Sequence, residues 1–191
     1  MLFQEGEPPL NVQTVLVIAA LIGLPVAASA GHPAKGGFVA LTLSSSALKE
    51  GATIPARLTC DGENVPPPLQ WEGRVANARS QVLILDDPDA PGGVFTHWVI
   101  YDLPVDGTVG SGHIERGIGH SREGKNDFGK TGYGGPCPPR GHGVHRYVFT
   151  LSVLDIAGLG LPAGASRQQV EAKMRGHVIA TAKLMGRYER M

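Results

Sequence analysis

The sequence predicts a mainly β fold, and three observations lead to it. The 27 glycines and 15 prolines are spread in short clusters between apolar runs, as in a chain of strands and turns. Residues 145–155 alternate with a period of two, which is typical of a strand with one buried face. Only one segment carries convincing helix signals. With 191 residues, the chain is long enough for one domain with a sizeable core.

The first thirty residues predict a secretory signal peptide. The nearly uninterrupted apolar run Val12 to Ala28 ends in Ala28-Ser29-Ala30, which fits the small-residue rule for cleavage. We therefore expect a signal peptide over residues 1–30, a linker over residues 31–37 and the folded domain over residues 38–191. The protein is then exported, to the periplasm or out of the cell.

One feature of the leading segment departs from that rule. Residues 1–11 contain Glu5 and Glu7 and no Lys or Arg where a positive region belongs, which a start codon assigned too early would explain. A membrane anchor is the alternative, but the apolar run is at the short limit for a span and contains Pro25. We expect membrane contact only through this segment, if it stays uncleaved.

The charge balance argues against nucleic acid as a partner. Lys plus Arg equals Asp plus Glu, at 17 each, and no basic run of five residues occurs. Any recognition of an anion must therefore come from a local site.

The first half of the domain predicts short strands between proline-rich loops. Phe38–Leu43 mixes β-branched and apolar residues and predicts the first strand. Thr53–Thr59 is a short segment bounded by proline. The prolines of Cys60–Pro68 forbid a helix and its Asp-Gly favours a turn, and Leu69–Trp71 follows as a brief strand.

The middle of the chain predicts two buried strands and a long loop. Gln81–Leu85 is a continuous apolar run that ends in carboxylates, as expected of a central strand. His97–Leu103 is a similar run. The glycine-rich, polar stretch Val105 to Arg140 has no periodicity, and loops of that length are usually functional or mobile.

The last third contains the clearest strand and the one helix. The alternation in 145–155 places one set of side chains on the same face: His145, Tyr147, Phe149, Leu151 and Val153. Ser166 and Gln169 have capping-box spacing and predict a short helix that Gly176 ends. Val178 to Met185 alternates and predicts a last strand, although a second helix also fits this alanine-rich run.

A pair of carboxylates at the end of a buried strand is the first candidate site. Asp87 and Asp89 face the same way in extended chain, the intervening prolines limit their motion, and His97 opens the next strand. Close carboxylates raise the pKa of one member, which could then donate a hydrogen bond to a phosphate oxygen. The plain alternative is that Asp and Pro only terminate the strand.

A glycine-rich loop that leads into a strand is the second candidate. The backbone N–H groups of Gly134 to Gly143 could point at an anion, while His145 and Tyr147 add side-chain donors from one strand face. Taken singly, a proline-glycine loop that feeds a strand with a satisfied core His and Tyr explains these residues equally well.

Three enzyme patterns are incomplete or absent in the sequence. Gly124 to Thr131 matches the P-loop spacing, but no apolar strand precedes it and the residues after it are too rich in Gly and Pro for a helix. His142 and His145 do not have a recognised metal-ligand spacing, so we expect no metal, and no cofactor is indicated. Without a G-x-S-x-G elbow no catalytic residue is assigned, but Asp87, Asp89 and His97 could still support acid/base hydrolysis.

The two cysteines leave two interpretations open. In an oxidising compartment Cys60 and Cys137 can form a disulfide, but two thiols near a pocket fit the sequence as well.

Several separated blocks, taken together, resemble the phosphatidylethanolamine-binding protein family, in its bacterial and archaeal branch called Raf kinase inhibitor-like. The resemblance runs from about Leu43 to Arg190 and includes Cys60-Asp-Gly-Glu-Asn, Asp87-Pro-Asp-Ala-Pro91 with His97-Trp98, Gly132-Tyr-Gly-Gly-Pro-Cys-Pro-Pro139 and His145-Arg-Tyr147. It implies a large antiparallel sheet packed on a smaller sheet, with short peripheral helices. It also implies one small cavity for phosphate, phosphorylated head groups or similar anions, lined by Asp87, Asp89, His97, Gly135, Cys137, Pro138, Pro139, His145 and Tyr147.

The resemblance leaves the function in three classes. The first is a non-catalytic binding protein for a small phosphate-bearing molecule or lipid head group. The second is an inhibitor that uses the rim loops of residues 105–140 against a protease or another protein, and the third is a hydrolase. The link Gly92 to Thr96 is shorter than in many relatives, which carry a longer segment with an aromatic residue at the pocket mouth, and this bears on the size of the ligand.

Overall fold

Two antiparallel sheets form the part of the protein that the computed structural model describes, namely residues 40–105, 112–114 and 121–191. The predicted signal peptide and linker lie outside these residues. None of the helices in the described ranges is long and apolar enough to cross a membrane.

The smaller sheet has three strands in the order β1-β2-β5, with β1 at Thr42–Ser45, β2 at Leu69–Glu72 and β5 at Gly112–Ile114. The predicted first strand Phe38–Leu43 overlaps β1 at Thr42 and Leu43, and β1 continues to Ser45 to pair with the whole of β2; residues 38 and 39 lie outside the described ranges. The stretch 105–140 was predicted as one loop, but it contributes β5 to this sheet. A three-residue strand is too short to leave a periodic pattern in sequence.

The larger sheet has five strands in the order β6-β4-β3-β7-β8. Their bounds are Arg122–Glu123 for β6, Phe95–Pro104 for β4, Ser80–Asp87 for β3, His145–Leu154 for β7 and Val178–Tyr188 for β8. The apolar run that predicted a central strand is indeed β3, flanked by β4 and β7. The last segment is a strand and not a helix, since β8 pairs with β7 along its whole length.

Both faces of the larger sheet are covered, and a hydrophobic core lies against each face. Leu83 and Leu85 of β3 point to the smaller sheet, where they belong to one cluster with Leu43 and Trp71. Val82 and its neighbours on the opposite face pack under the helix. Burial on both faces explains why β3 is apolar throughout rather than alternating.

The helix α1 spans Arg167–Met174 and begins as its capping box predicts. The Gln169 backbone N–H donates to Ser166 Oγ at 3.3 Å, and the Ser166 N–H donates to Gln169 Oε1 at 2.9 Å. A 3₁₀ helix at Ala56–Leu58 lies within the proline-bounded segment Thr53–Thr59. The P-loop match has no helix behind it, because residues 132–144 form turns and irregular chain.

Four strand termini meet at one end of the larger sheet. β3 ends at Asp87, which pairs with Phe95 at the start of β4. β7 begins at His145, which pairs with Tyr188 at the end of β8. The register of the sheet therefore brings the sequence blocks around Asp87, His97 and His145 together.

Candidate functional site

A buried carboxylate and a buried imidazole form the centre of the site. Asp87 is 3% exposed and His145 is 1% exposed. Asp87 Oδ2 lies 2.7 Å from His145 Nδ1, and Asp87 Oδ1 accepts the Asp89 backbone N–H at 2.8 Å. A carboxylate only accepts hydrogen bonds, so His145 carries a proton on Nδ1, and in the neutral ring its Nε2 is an acceptor.

The Asp87–His145 pair extends to a third group, His142. Nδ1 of His142 lies 2.8 Å from His145 Nε2, and His142 is exposed where His145 is buried. In the sequence, His142 was singled out only for a spacing that resembles metal ligands, and its contact with His145 was not predicted. The signal available was its place between two glycines, which permit the turn that carries the ring back over β7.

His97 reaches the same site because of a β-bulge. Along β3 and β4, Leu85 pairs with Trp98 but Asp86 pairs with Thr96, so His97 is the extra residue in the ladder. Without the bulge, alternation would direct His97 to the helix side of the sheet with Val99. The bulge turns it toward the other face, where its ring contacts that of Tyr147 at a centroid distance of 5.2 Å.

Hydrogen bonding and aromatic packing fix the His97 ring. Its Nδ1 donates to the Gly134 carbonyl at 2.7 Å, because a carbonyl can only accept. The rings of Phe95 and Phe128 pack against it at 5.1 and 5.2 Å, so aromatic side chains border the site although the preceding link is short. Burial lowers the pKa of His97, against the opposing effects of the Gly134 backbone and Asp87. His97 is therefore neutral at physiological pH.

Tyr147 places an unpaired hydroxyl in the cluster. The residue is fully buried, and its hydroxyl lies near the Asp87 carboxylate and the Cys137 backbone without a hydrogen bond of ordinary geometry to either. Burial, followed by the Asp87 charge, raises its pKa. We call Asp87, His97, His145 and Tyr147 the strand-end cluster.

Asp89 does not form the carboxylate pair that the sequence suggested. Its carboxylate binds Arg146 at 2.6 and 2.8 Å through the guanidinium and at 2.9 Å through the backbone N–H. These hydrogen bonds to Arg146 lower the pKa of Asp89 to about 2, so Asp89 is not a carboxyl group whose pKa is raised by a neighbouring carboxylate. Arg146 lies 57 positions later in the chain, on β7, the strand that pairs with β3, and no spacing in the sequence reveals this contact.

The glycine-rich loop does not present the backbone donors we predicted at three of its glycines. The N–H groups of Gly134, Gly135 and Gly141 donate to the His97 carbonyl, to Asn64 Oδ1 and to the Arg190 carbonyl. Gly135 has a packing role instead. A Cβ there would lie 2.4 Å from the Leu58 carbonyl oxygen, which is too close for any side chain to be accommodated.

A disulfide closes the loop beside the cluster. Cys60 and Cys137 are bonded at 2.07 Å with their Cα atoms 5.4 Å apart, so the interpretation as two thiols does not apply. Pro138 is buried next to this bridge, whereas Pro139 is exposed and accepts the His142 backbone N–H at 3.2 Å. Pro139 therefore shapes the turn rather than facing the cluster.

A cavity of about 200 Å³ lies beside the predicted site rather than at its centre. Its lining comes from the loops around the disulfide and shares only Gly135 with the predicted set; it consists of Cys60, Asn64, Asn126, Phe128, Lys130, Tyr133, Gly134 and Gly135. Within the described residues, no group of three His, Cys, Asp or Glu side chains could hold a metal ion.

Comparison with known proteins gives one consistent result. The family model of the phosphatidylethanolamine-binding protein matches residues 44–189. A UPF0098 protein of Aquifex aeolicus is 48% identical over 148 residues, which cover 76% of this chain and 86% of the relative. LppC of Mycobacterium tuberculosis, whose name describes it as a candidate lipoprotein, is 41% identical over 150 residues that cover 78% and 72% of the two chains. The crystal structure of Escherichia coli YbcL, titled a member of the mammalian family, superposes with a TM-score of 0.73 at 27% identity, over 80% of this chain and 100% of that one.

Proposed function

Because the chain belongs to the phosphatidylethanolamine-binding protein family, we propose that it binds a small phosphate-like anion or phosphorylated head group at the strand-end cluster, without catalysis. Family membership supports a ligand-binding protein in general. The anion and the residues that bind it are the specific content of the proposal.

The unpaired Tyr147 hydroxyl is the observation that carries this function. A buried hydroxyl without a partner costs about 1–3 kcal/mol, so native proteins rarely keep one without a reason. An anion in the cluster would accept its proton in a hydrogen bond. The His97 ring lies beside this hydroxyl and lines the site. Because the ring is neutral, it needs no negative group of the protein to balance it.

Asp87 does not prevent an anion from binding nearby. Both of its oxygens already accept hydrogen bonds, from the His145 ring and from the Asp89 backbone. Its negative charge is therefore stabilised by donors of the protein itself, and it fixes the orientation of the His145 ring.

Exposed apolar side chains around the cluster fit a ligand with a hydrophobic part. Phe128 and Val144 are 42% and 56% exposed; Phe128 packs against His97, and Val144 directly precedes His145. This arrangement suits a head group that carries an apolar tail as well as free phosphate.

Isothermal titration of the purified protein with phosphate and with phosphoethanolamine tests the proposal. We expect binding of both, and loss of binding in His97→Asn, in which the amide nitrogen can still donate to the Gly134 carbonyl. His177→Asn is the control, because His177 pairs with Asp155 at the opposite end of β7. Absence of heat with either anion would reject the anion-binding function.

Export is a second part of the proposal. The disulfide suits an oxidising compartment, and the relative named as a candidate lipoprotein points the same way. Mass measurement of the protein from the periplasm or medium of expressing cells should give a chain that begins at Gly31. Recovery only as the full-length chain from the cell interior would contradict export.

A further inference from the structure

His145 has no ring nitrogen left for a ligand. Its Nδ1 donates to Asp87 at 2.7 Å, and its Nε2 lies at hydrogen-bond distance, 2.8 Å, from His142 Nδ1. An imidazole has two hydrogen-bonding atoms, so both are occupied inside the protein. The sequence had assigned His145 as a direct donor to the anion, and the structure does not leave it that capacity.

The free end of this chain of hydrogen bonds is His142. When His145 is neutral, its Nε2 accepts from His142 Nδ1, so the neutral His142 ring carries its proton there and its Nε2 is a free acceptor. The side chain is exposed, and Nε2 has no hydrogen-bond partner among the residues that the structure describes. An incoming ligand therefore meets His142 rather than His145.

The turn holds His142 in this place. Gly141 and Gly143 have φ angles of +72° and +87°, which other residues adopt only with strain. Two backbone hydrogen bonds secure the turn, from Gly141 N–H to the Arg190 carbonyl and from His142 N–H to the Pro139 carbonyl. The ring is thus positioned by the backbone as well as by its bond to His145.

We propose that His142 is a further anion-binding residue of this site and that it takes up one proton from solvent when the anion binds. This inference rests on the anion-binding function proposed above. It means that the positive charge that contacts the anion forms on His142 only when the anion binds, and is not present in the free protein.

The hydrogen bonds explain why the proton is stable there. A protonated His142 donates from Nε2 to the anion and from Nδ1 to His145, and His145 in turn donates to the Asp87 carboxylate. The added charge therefore lies between two negative groups, the ligand on one side and Asp87 on the other. Without the anion only one of these two stabilises it, so binding raises proton affinity.

The other charged groups around the turn are already paired. Asp89 is bound by Arg146 on β7. Arg190, after β8, binds Asp61 at 2.9 Å, and Arg140 lies 3.9 Å from the same carboxylate. His142 is the one titratable side chain of this turn whose polar atom faces solvent without a partner among the described residues.

Titration calorimetry with sulfate tests the inference, because the charge of sulfate does not change near neutral pH and any linked proton comes from the protein. Titrations in two buffers with different ionisation enthalpies give the number of protons taken up. We expect close to one for the protein and close to none for His142→Gln. Because one proton is taken up on binding, the affinity of the protein for sulfate should fall as the pH rises, by up to about tenfold per pH unit, and that of the variant much less.

His177→Gln is the matched control: His177 is a half-buried histidine with a carboxylate partner, and this variant should keep the proton uptake. Thermal unfolding of His142→Gln is measured alongside to establish that it is folded. Binding without proton uptake, or uptake that persists in His142→Gln, would overturn the role of His142 and leave the anion-binding function intact. Absence of binding by sulfate and phosphate alike would reject both.

Discussion

Replacement of Tyr147 by phenylalanine should improve the stability of the protein and weaken its binding. The change removes one oxygen atom and leaves the ring, which is fully buried in the core between the sheets. Because that oxygen makes no hydrogen bond of ordinary geometry within the described part of the chain, the folded protein loses a group whose burial was unfavourable.

The gain in stability and the loss of affinity both follow from removal of the Tyr147 hydroxyl oxygen. An unsatisfied buried hydroxyl costs about 1–3 kcal/mol, and about 1 kcal/mol in a domain of this size corresponds to a rise in Tm of about 2–4 °C. A hydrogen bond to a charged group is worth about 1.5–3 kcal/mol, so the affinity for phosphate should fall by about tenfold or more. Calorimetric melting and phosphate titration measure the two effects on one sample.

Tyr101→Phe is the matched control. Tyr101 is also fully buried, but its hydroxyl donates to the Pro162 carbonyl on the opposite face of the larger sheet. This variant should lose about 1 kcal/mol of stability and keep its affinity for phosphate. A lower Tm for Tyr147→Phe together with an unchanged affinity would refute the reasoning, since the hydroxyl would then be satisfied inside the protein.

Three further predictions concern packing, the covalent bridge and pH. Gly135→Ala should destabilise the fold by about 3 kcal/mol in urea unfolding, since its Cβ would lie 2.4 Å from a backbone oxygen, whereas Gly92→Ala, in open space, should be neutral. Replacing Cys60 and Cys137 by serine should cost about 4 kcal/mol, because the bridge closes a loop of 77 residues; an unchanged urea midpoint would contradict this. Asp89→Asn should lower Tm at neutral pH, and because the folded pKa of Asp89 is depressed, the difference from the unaltered protein should disappear as pH falls from 3.8 towards about 2.

Much of the fold could be predicted because its central elements have strong local patterns. The apolar run of β3, the alternation of β7 and the capping box of α1 each depend on neighbours in sequence. The strands β5 and β6 could not be found in this way. With three and two residues, they exist only because β2 and β4 offer them a partner edge.

The candidate site was predicted in its residues more than in their arrangement. Asp87, His97 and His145 are adjacent in space, as their motifs suggested. Which hydrogen bonds they make was not predictable, because it depends on a group far away in sequence in one case and on the conformation of a turn in the other. Arg146 binds Asp89 across 57 positions, and the turn that carries His142 uses up the second nitrogen of His145.

The bulge at His97 restricts how this part of the chain can change in length. Deleting or adding one residue between the bulge and the end of β4 would reverse the faces of the strand and move either the imidazole or the core residues Trp98 and Ile100 to the wrong side of the sheet. Gly92 and Gly93 lie in open space in the preceding turn, where an insertion disturbs no pairing. Variation in loop length should therefore accumulate before Phe95 and be excluded after it, so the mouth of the site can be remodelled while its imidazole stays in place.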